Sequence, residues 1–258
     1  MYWRRKSATG QQSVNRMGLR ALGMAACVAL LAGLSPARAN DLTLFHAAME
    51  DVAAHNRVAI GYLRNENYDL ALVELERMKD SWGAFAEKFG GNRPTPFRDS
   101  ELYVNMLVDV PTRIVTALIM INFGRPQIAA NSLEAIREEM SAVRRAGGVT
   151  VLADCVLDSH AAMEALSLYR DTVPDWNETA TLGDITAKAD AYGAVIKRCD
   201  GMAPEAVHGN PEFRRLVDGI AASLAFVPKA VETHDRDLLY RVIIELRSFD
   251  NLLAFRYG

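Results

Sequence analysis

Residues 238–258 read LLYRVIIELRSFDNLLAFRYG. Leu239, Val242, Leu246, Phe249 and Leu253 recur at spacings of three and four, which predicts a helix burying one long stripe. The stretch closes on Gly258, the residue type that ends many helices because it carries no side-chain penalty in the left-handed region. One hundred and ten positions earlier, 125–148 reads RPQIAANSLEAIREEMSAVRRAGG, again a helical pattern closing on glycine. Ala129, Leu133, Ile136 and Val143 fall where Leu239, Ile243, Leu246 and Leu253 fall in the later stretch. The same offset carries Asp80-Ser-Trp-Gly-Ala onto Asp190-Ala-Tyr-Gly-Ala. At an offset of 114, His46-Ala-Ala-Met-Glu50 returns unchanged as His160-Ala-Ala-Met-Glu164. These recurrences read as one helical unit written twice.

The helical pattern extends outward from both stretches. Helices are predicted over 42–64, with Asp41 as N-cap, and over 68–89, stopped by Gly90-Gly91. A loop with Pro94 and Pro96 follows. A third helix spans 100–123, and Pro111 should kink or divide it. Pro126 opens the fourth helix at a first-turn position, where proline is tolerated. The second half repeats the plan over 150–171 and 183–199, a loop over 200–210, a helix from 210 interrupted at Pro228, and the closing helix. No stretch alternates with period two strongly enough to predict strands. The expected class is all-α, as two tandem four-helix bundles covering 40–148 and 149–258. Gly147-Gly148 marks the junction. Divergence between the copies (Phe89 against Cys199, Pro111 against Pro228) favours units that lean on each other through a shared apolar face. The competing arrangement is one intertwined eight-helix array.

The beginning of the chain reads as an address. Residues 1–39 hold six basic residues and no acidic one, and the run 21–34 is apolar. That run is shorter than the roughly 20 residues a spanning helix needs. Ser-Pro-Ala37-Arg-Ala39 then supplies an A-x-A site, placing signal cleavage between Ala39 and Asn40. Met17 opens a tidier leader than Met1. Export to the periplasm or medium is the expectation, with no stable membrane insertion after the leader is removed. Without the leader, Lys plus Arg falls from 29 to 23 against 32 acids, a net charge of −9. No basic cluster interleaves with aromatics, so nucleic acid is not an expected partner. Another protein is.

Cys155 and Cys199 are the two cysteines beyond the leader. Each lies about 16 residues from the connection between the fifth and sixth helices, hence about 24 Å along its helix at ~1.5 Å per residue. Equal heights and an oxidising compartment predict a disulfide; two separate buried thiols are the alternative.

The repeated His-Ala-Ala-Met-Glu places His46 with Glu50, and His160 with Glu164, one helical turn apart on a face. Two such pairs could converge on a metal. Duplication alone also repeats residues, and hydrogen-bonded boundary histidines are the favoured reading. Asp51 and His55 form a similar pair. Glu205 to His208 spells E-x-x-H in a predicted loop, so it cannot supply the paired helical ligands of a di-iron bundle. No H-E-x-x-H, G-x-S-x-G or phosphate-binding glycine loop occurs. Glu74, Glu76, Glu134, Arg137, Glu245 and Arg247 read as solvated or paired surface. No catalytic residue and no cofactor is predicted.

The terminal Ser248-Phe-Asp-Asn251-Leu252-Leu-Ala-Phe255-Arg256, on an exported four-helix unit, resembles the end of the cytochrome c prime and c-556 bundles. Those end in C-x-x-C-H-x-x-F-R, with covalent haem on the cysteines and iron on the histidine. Here Ser248, Asn251 and Leu252 occupy the two cysteine positions and the histidine position. The resemblance therefore implies the bundle without its haem. Asn67-Tyr-Asp-Leu-Ala-Leu-Val-Glu-Leu-Glu76 resembles a tetratricopeptide turn and helix, though without a steady period of 34. The leading expectation is a non-enzymatic binding or accessory protein. A metal- or haem-binding bundle using His46 and His160 is the alternative.

Overall fold

The computed structural model describes residues 36–258, with side chains described from Asp41 onward. The expected leader and its cleavage junction at Ala39 and Asn40 therefore lie outside the residues whose side chains are described. The compact body is Phe45–Gly258.

Among the described residues every regular element is helical. In order they are α1 Pro36–Arg64, α2 Tyr68–Phe89, a 3₁₀ turn at Thr95–Phe97, α3 Glu101–Asn122 and α4 Pro126–Ala146. Then come α5 Leu152–Asp171, α6 Thr179–Met202, α7 Glu205–His208, α8 Pro211–Leu224, α9 Val227–Glu232 and α10 Arg236–Tyr257. The all-α expectation holds.

Local chemistry explains most boundaries. Ser100 Oγ accepts from the Tyr103 amide, Asn210 Oδ1 from those of Glu212 and Phe213, and Asp235 Oδ1 from that of Leu238. Each side chain thus satisfies amides that a helix start leaves unpaired. After α3 the chain turns at Gly124 with φ +66°, and after α9 it turns at His234 with φ +53°. Both turns close the same way. Gly124 and Arg125 donate to Ile121 and Met120, as His234 and Asp235 donate to Val231 and Ala230.

Several boundaries differ from expectation. Helix α1 is already formed at Pro36, so Asp41 lies inside it and does not cap it. Helix α3 runs through Pro111 undivided. The carbonyl that Pro111 leaves unpaired is that of Leu107, and both residues are only half-buried, so water can reach that side of the helix. The two predicted loops each contain a helical turn, the 3₁₀ turn in the first and α7 in the second. Pro94 and Pro204 sit at the N-caps of these turns, where a fixed φ suits the entry. Pro228 stands in the first turn of α9, after the break at Ala225 and Phe226, as its position in the sequence predicted.

Two regions of tight packing follow from the apolar stripes. Among 45–146, Phe45, Phe85, Phe89, Phe97 and Tyr103 cluster with ring centroids 4.8–5.9 Å apart. Tyr103 OH donates to the Phe89 carbonyl at 2.9 Å, satisfying an orphan acceptor at the end of α2. Burial pushes the Tyr103 phenol up to about 12. Asn56 on α1 donates to the Leu133 carbonyl of α4 at 2.9 Å, holding those two helices together inside the protein. Among 152–257, one buried cluster gathers residues of α5, α6, α8, α9 and α10, including Tyr192, Phe213, Ile220 and Leu246. Helix α10 packs against α5 and α8 along its length.

Where α4 meets α5, Arg144 lies against Asp154, whose carboxylate is wholly buried. Arg145 donates to the Asp154 carbonyl and to Asp158, which also accepts from Arg198 of α6. Helix α3 is the most apolar element, 22 residues with mean hydropathy 1.6 over its best window, long and apolar enough to cross a membrane by length and composition. Its outer face exposes Val104, Val108, Val115 and Ile119.

Candidate functional site

Cys155 on α5 and Cys199 on α6 lie with Cα atoms 5.4 Å apart and sulfurs at bonding distance. The disulfide expected across the α5–α6 pair is therefore present.

The two histidine pairs separate in character. His160 Nδ1 lies 2.7 Å from Asp250 Oδ2, and its Nε2 is 4.0 Å from Glu164 Oε1. Glu164 also meets Arg247 at 3.1 Å. Asp250, from α10, is fully buried, and its other oxygen lies 3.2 Å from Ser159 Oγ and 3.4 Å from Tyr192 OH. Burial, and then the Asp250 charge, pushes the Tyr192 phenol upward, so it remains a donor. Serine, histidine and aspartate thus meet here without forming a nucleophile–base relay. Ser159 and His160 both turn to the same carboxylate, and Ser159 shares its proton with the Val156 carbonyl. The arrangement satisfies a buried charge.

His46 is different. Both its ring nitrogens are buried without a partner, and Glu50 turns instead to Arg57 at 2.8 Å. Burial, and then the Arg144 charge, hold the His46 pKa below the 6.5 usual for histidine, while Asp154 pulls it upward. A proton therefore prefers the unfolded chain. Above pH 6.5 the ring is neutral in both states and adds no pH dependence, and the folded state loses stability as pH falls below it. A His46→Leu variant should accordingly gain stability relative to the parent as pH drops from about 7.5 to about 5, across the histidine range, read from urea midpoints at each pH. A parallel pair of pH profiles would contradict it.

Among the described residues no group of three or more His, Cys, Asp or Glu side chains gathers as metal ligands would. Asp51 accepts from Ser81, and His55 pairs with Glu74 at 2.8 Å, so both bind α1 to α2. Glu205 and His208 lie on α7, not in a loop, and His208 pairs with Asp200 at 3.4 Å.

Among three cavities of about 400–420 Å³, the one between α1, α4 and α10 gathers three arginines. Its size falls in the range of small-molecule sites. Arg57 and Arg64, seven apart on one face of α1, meet Arg137 of α4 across it. Asn65, Ser248 and Asn251 supply its neutral polar groups, and Ile60, Leu252 and Phe255 its larger apolar ones. Gly61 lets α1 approach α10 here. A Cβ at that position would collide with the Phe255 ring carbons Cδ2 and Cε2.

The guanidiniums are incompletely matched. Glu134 takes Arg137 at 2.7 Å and Arg64 at 3.0 Å, and Arg64 also donates to Asn251 at 3.2 Å. One nitrogen of Arg57 and one of Arg137 are buried with no acceptor. Arg137, expected at the surface, is only 8% exposed, and Glu74 is likewise buried. Neither could be told from the surface charges around it, because i, i+3 ion pairs such as Glu134–Arg137 occur on solvated and packed faces alike. Arg57 and Arg64 offered a weak signal, two arginines on one helix face. The positions that the cytochrome resemblance aligns with two cysteines and a histidine, Ser248, Asn251 and Leu252, all line this cavity. No thiol and no imidazole lines it, so its residues do not fit a covalently held haem. No protein-family model, no curated protein and no solved structure matches the chain.

Proposed function

We propose that this is an exported, non-enzymatic helical binding protein, built as two tandem four-helix units, whose ligand seat is the cavity between α1, α4 and α10. The duplicated architecture is supported by element order. Two long helices, a short helical turn and a further helical pair follow each other in 36–146 and again in 152–257, with the first member of the later pair split into α8 and α9. It is supported too by the matched turns at Gly124 and His234, 110 positions apart. Buried residues recur at that offset, Trp82 with Tyr192, Leu133 with Ile243 and Ile136 with Leu246. On this reading the seat lies where the first unit's α1 and α4 meet the second unit's last helix.

The observation that carries the binding reading is the cavity itself, of ligand size and lined by a convergent set of polar groups beside an apolar wall. The test uses the full chain without its leader, purified from its native compartment under non-denaturing conditions. Native mass spectrometry should find a small-molecule adduct that denaturation releases. Ser248→Trp, which fills the cavity from its exposed rim, should abolish it. An adduct unchanged by the substitution, or none in the parent, would sink the reading. A Soret band or a stoichiometric metal in the same preparation would favour the metal- or haem-binding alternative.

A further inference from the structure

We infer that the cavity between α1, α4 and α10 takes an oxyanion-headed amphiphile, a carboxylate or phosphate monoester on a short apolar chain. This rests on the binding reading above and names the ligand's chemistry. Three guanidiniums surround the site, and Glu50 and Glu134 pair with them. Gly258, the last residue, lies close to Arg137 Nη2 without accepting a hydrogen bond from it. The incomplete pairing sits at the buried end. The Arg57 and Arg137 side chains are 12% and 8% exposed, and each keeps a buried nitrogen without an acceptor.

A buried donor with no partner is costly, and a buried charge with incomplete pairing more so. Arginine's planar fork matches the paired oxygens of a carboxylate or phosphate. A neutral polar ligand would offer these donors a weaker acceptor than an oxyanion, whose hydrogen bonds to a guanidinium are charge-assisted. The same cavity is lined by Ile60, Leu252 and Phe255, which offer an apolar tail a surface but no hydrogen bond. Arg64, 37% exposed, stands nearer solvent and is held by Asn251 and Glu134. The order of exposure places the anionic head inward, on Arg57 and Arg137.

Titration calorimetry on the full chain without its leader tests this with four probes: octanoate, octyl phosphate, 1-octanol and inorganic phosphate. Octanoate or octyl phosphate should bind at least about tenfold more tightly than 1-octanol, the span of a charge-assisted hydrogen bond. Arg137→Gln should lose that preference. Arg64→Gln, at a more exposed position, provides a variant less prone to misfolding and should weaken both anionic probes. Which of the two anionic probes binds more tightly identifies the head group. Equal binding of 1-octanol would overturn the anion inference and leave the binding reading standing. Inorganic phosphate binding as tightly as octyl phosphate would overturn the apolar-tail half. No binding by any probe would overturn the inference, while the adduct experiment still decides the binding reading separately.

Discussion

Replacing Arg144 by methionine is expected to destabilise the protein by about 3–5 kcal/mol, the cost of stranding a buried charge. Asp154 has no exposed surface, and Arg144 is 5% exposed. Arg144 Nε lies 3.0 and 3.1 Å from the two carboxylate oxygens, and Nη2 also meets Oδ1. Without the guanidinium, Asp154 keeps the Val151 amide, which donates to Oδ2 at 3.0 Å. One amide cannot replace a bidentate charged partner. The pair also joins the last turn of α4 to the first turn of α5, where a cation and an anion respectively complement the helix dipoles. The double variant Arg144→Met with Asp154→Leu should recover most of the loss, because it removes both charges together. Urea unfolding of the parent, the single variant and the double variant measures both steps. A single-variant cost below about 1 kcal/mol, the scale of an exposed pair, would show that water reaches the site.

Breaking the Cys155–Cys199 link is expected to cost about 4 kcal/mol in the chain-entropy account, for a sequence separation of 44. The bond joins α5 to α6, and both cysteines are almost fully buried. Reduction should therefore be slow in the folded protein and complete once it unfolds. The comparison is between oxidised protein and protein reduced in denaturant, then refolded under reductant, each beginning at Asn40 so that Cys27 is absent. The urea midpoint should fall, and thiol titration of the unfolded, unreduced chain should find no free thiol. Two titratable thiols, or coincident midpoints, would contradict the prediction.

The arginine pair and the cysteine pair differ in how they could be read. Helix rise is constant, so two cysteines at similar distances from one connection come to similar levels, and they pair although α6 starts at Thr179, four residues before the expected 183. The Arg144–Asp154 contact spans only ten residues but depends on the path of the turn at Gly147 and Gly148, and Arg144 stood in the sequence as one of two basic residues near a helix end.

What the sequence determined by itself is what depends on local periodicity and on backbone chemistry. Stripes at spacings of three and four specify helices. Ser100, Asn210 and Asp235 specify starts, and Gly124 specifies a turn, because each acts on amides or dihedrals within a few residues. Tertiary structure decided the roles of charged residues. Asp250 meets His160 across 90 positions, Arg64 meets Asn251 across 187, and Arg64 meets Glu134 across 70. An aspartate, an arginine or a glutamate looks the same on a solvated face and on a packed one. Only the approach of α1, α4 and α10 removes water from Arg57 and Arg137 and turns ordinary helix charges into a cavity with unpaired donors.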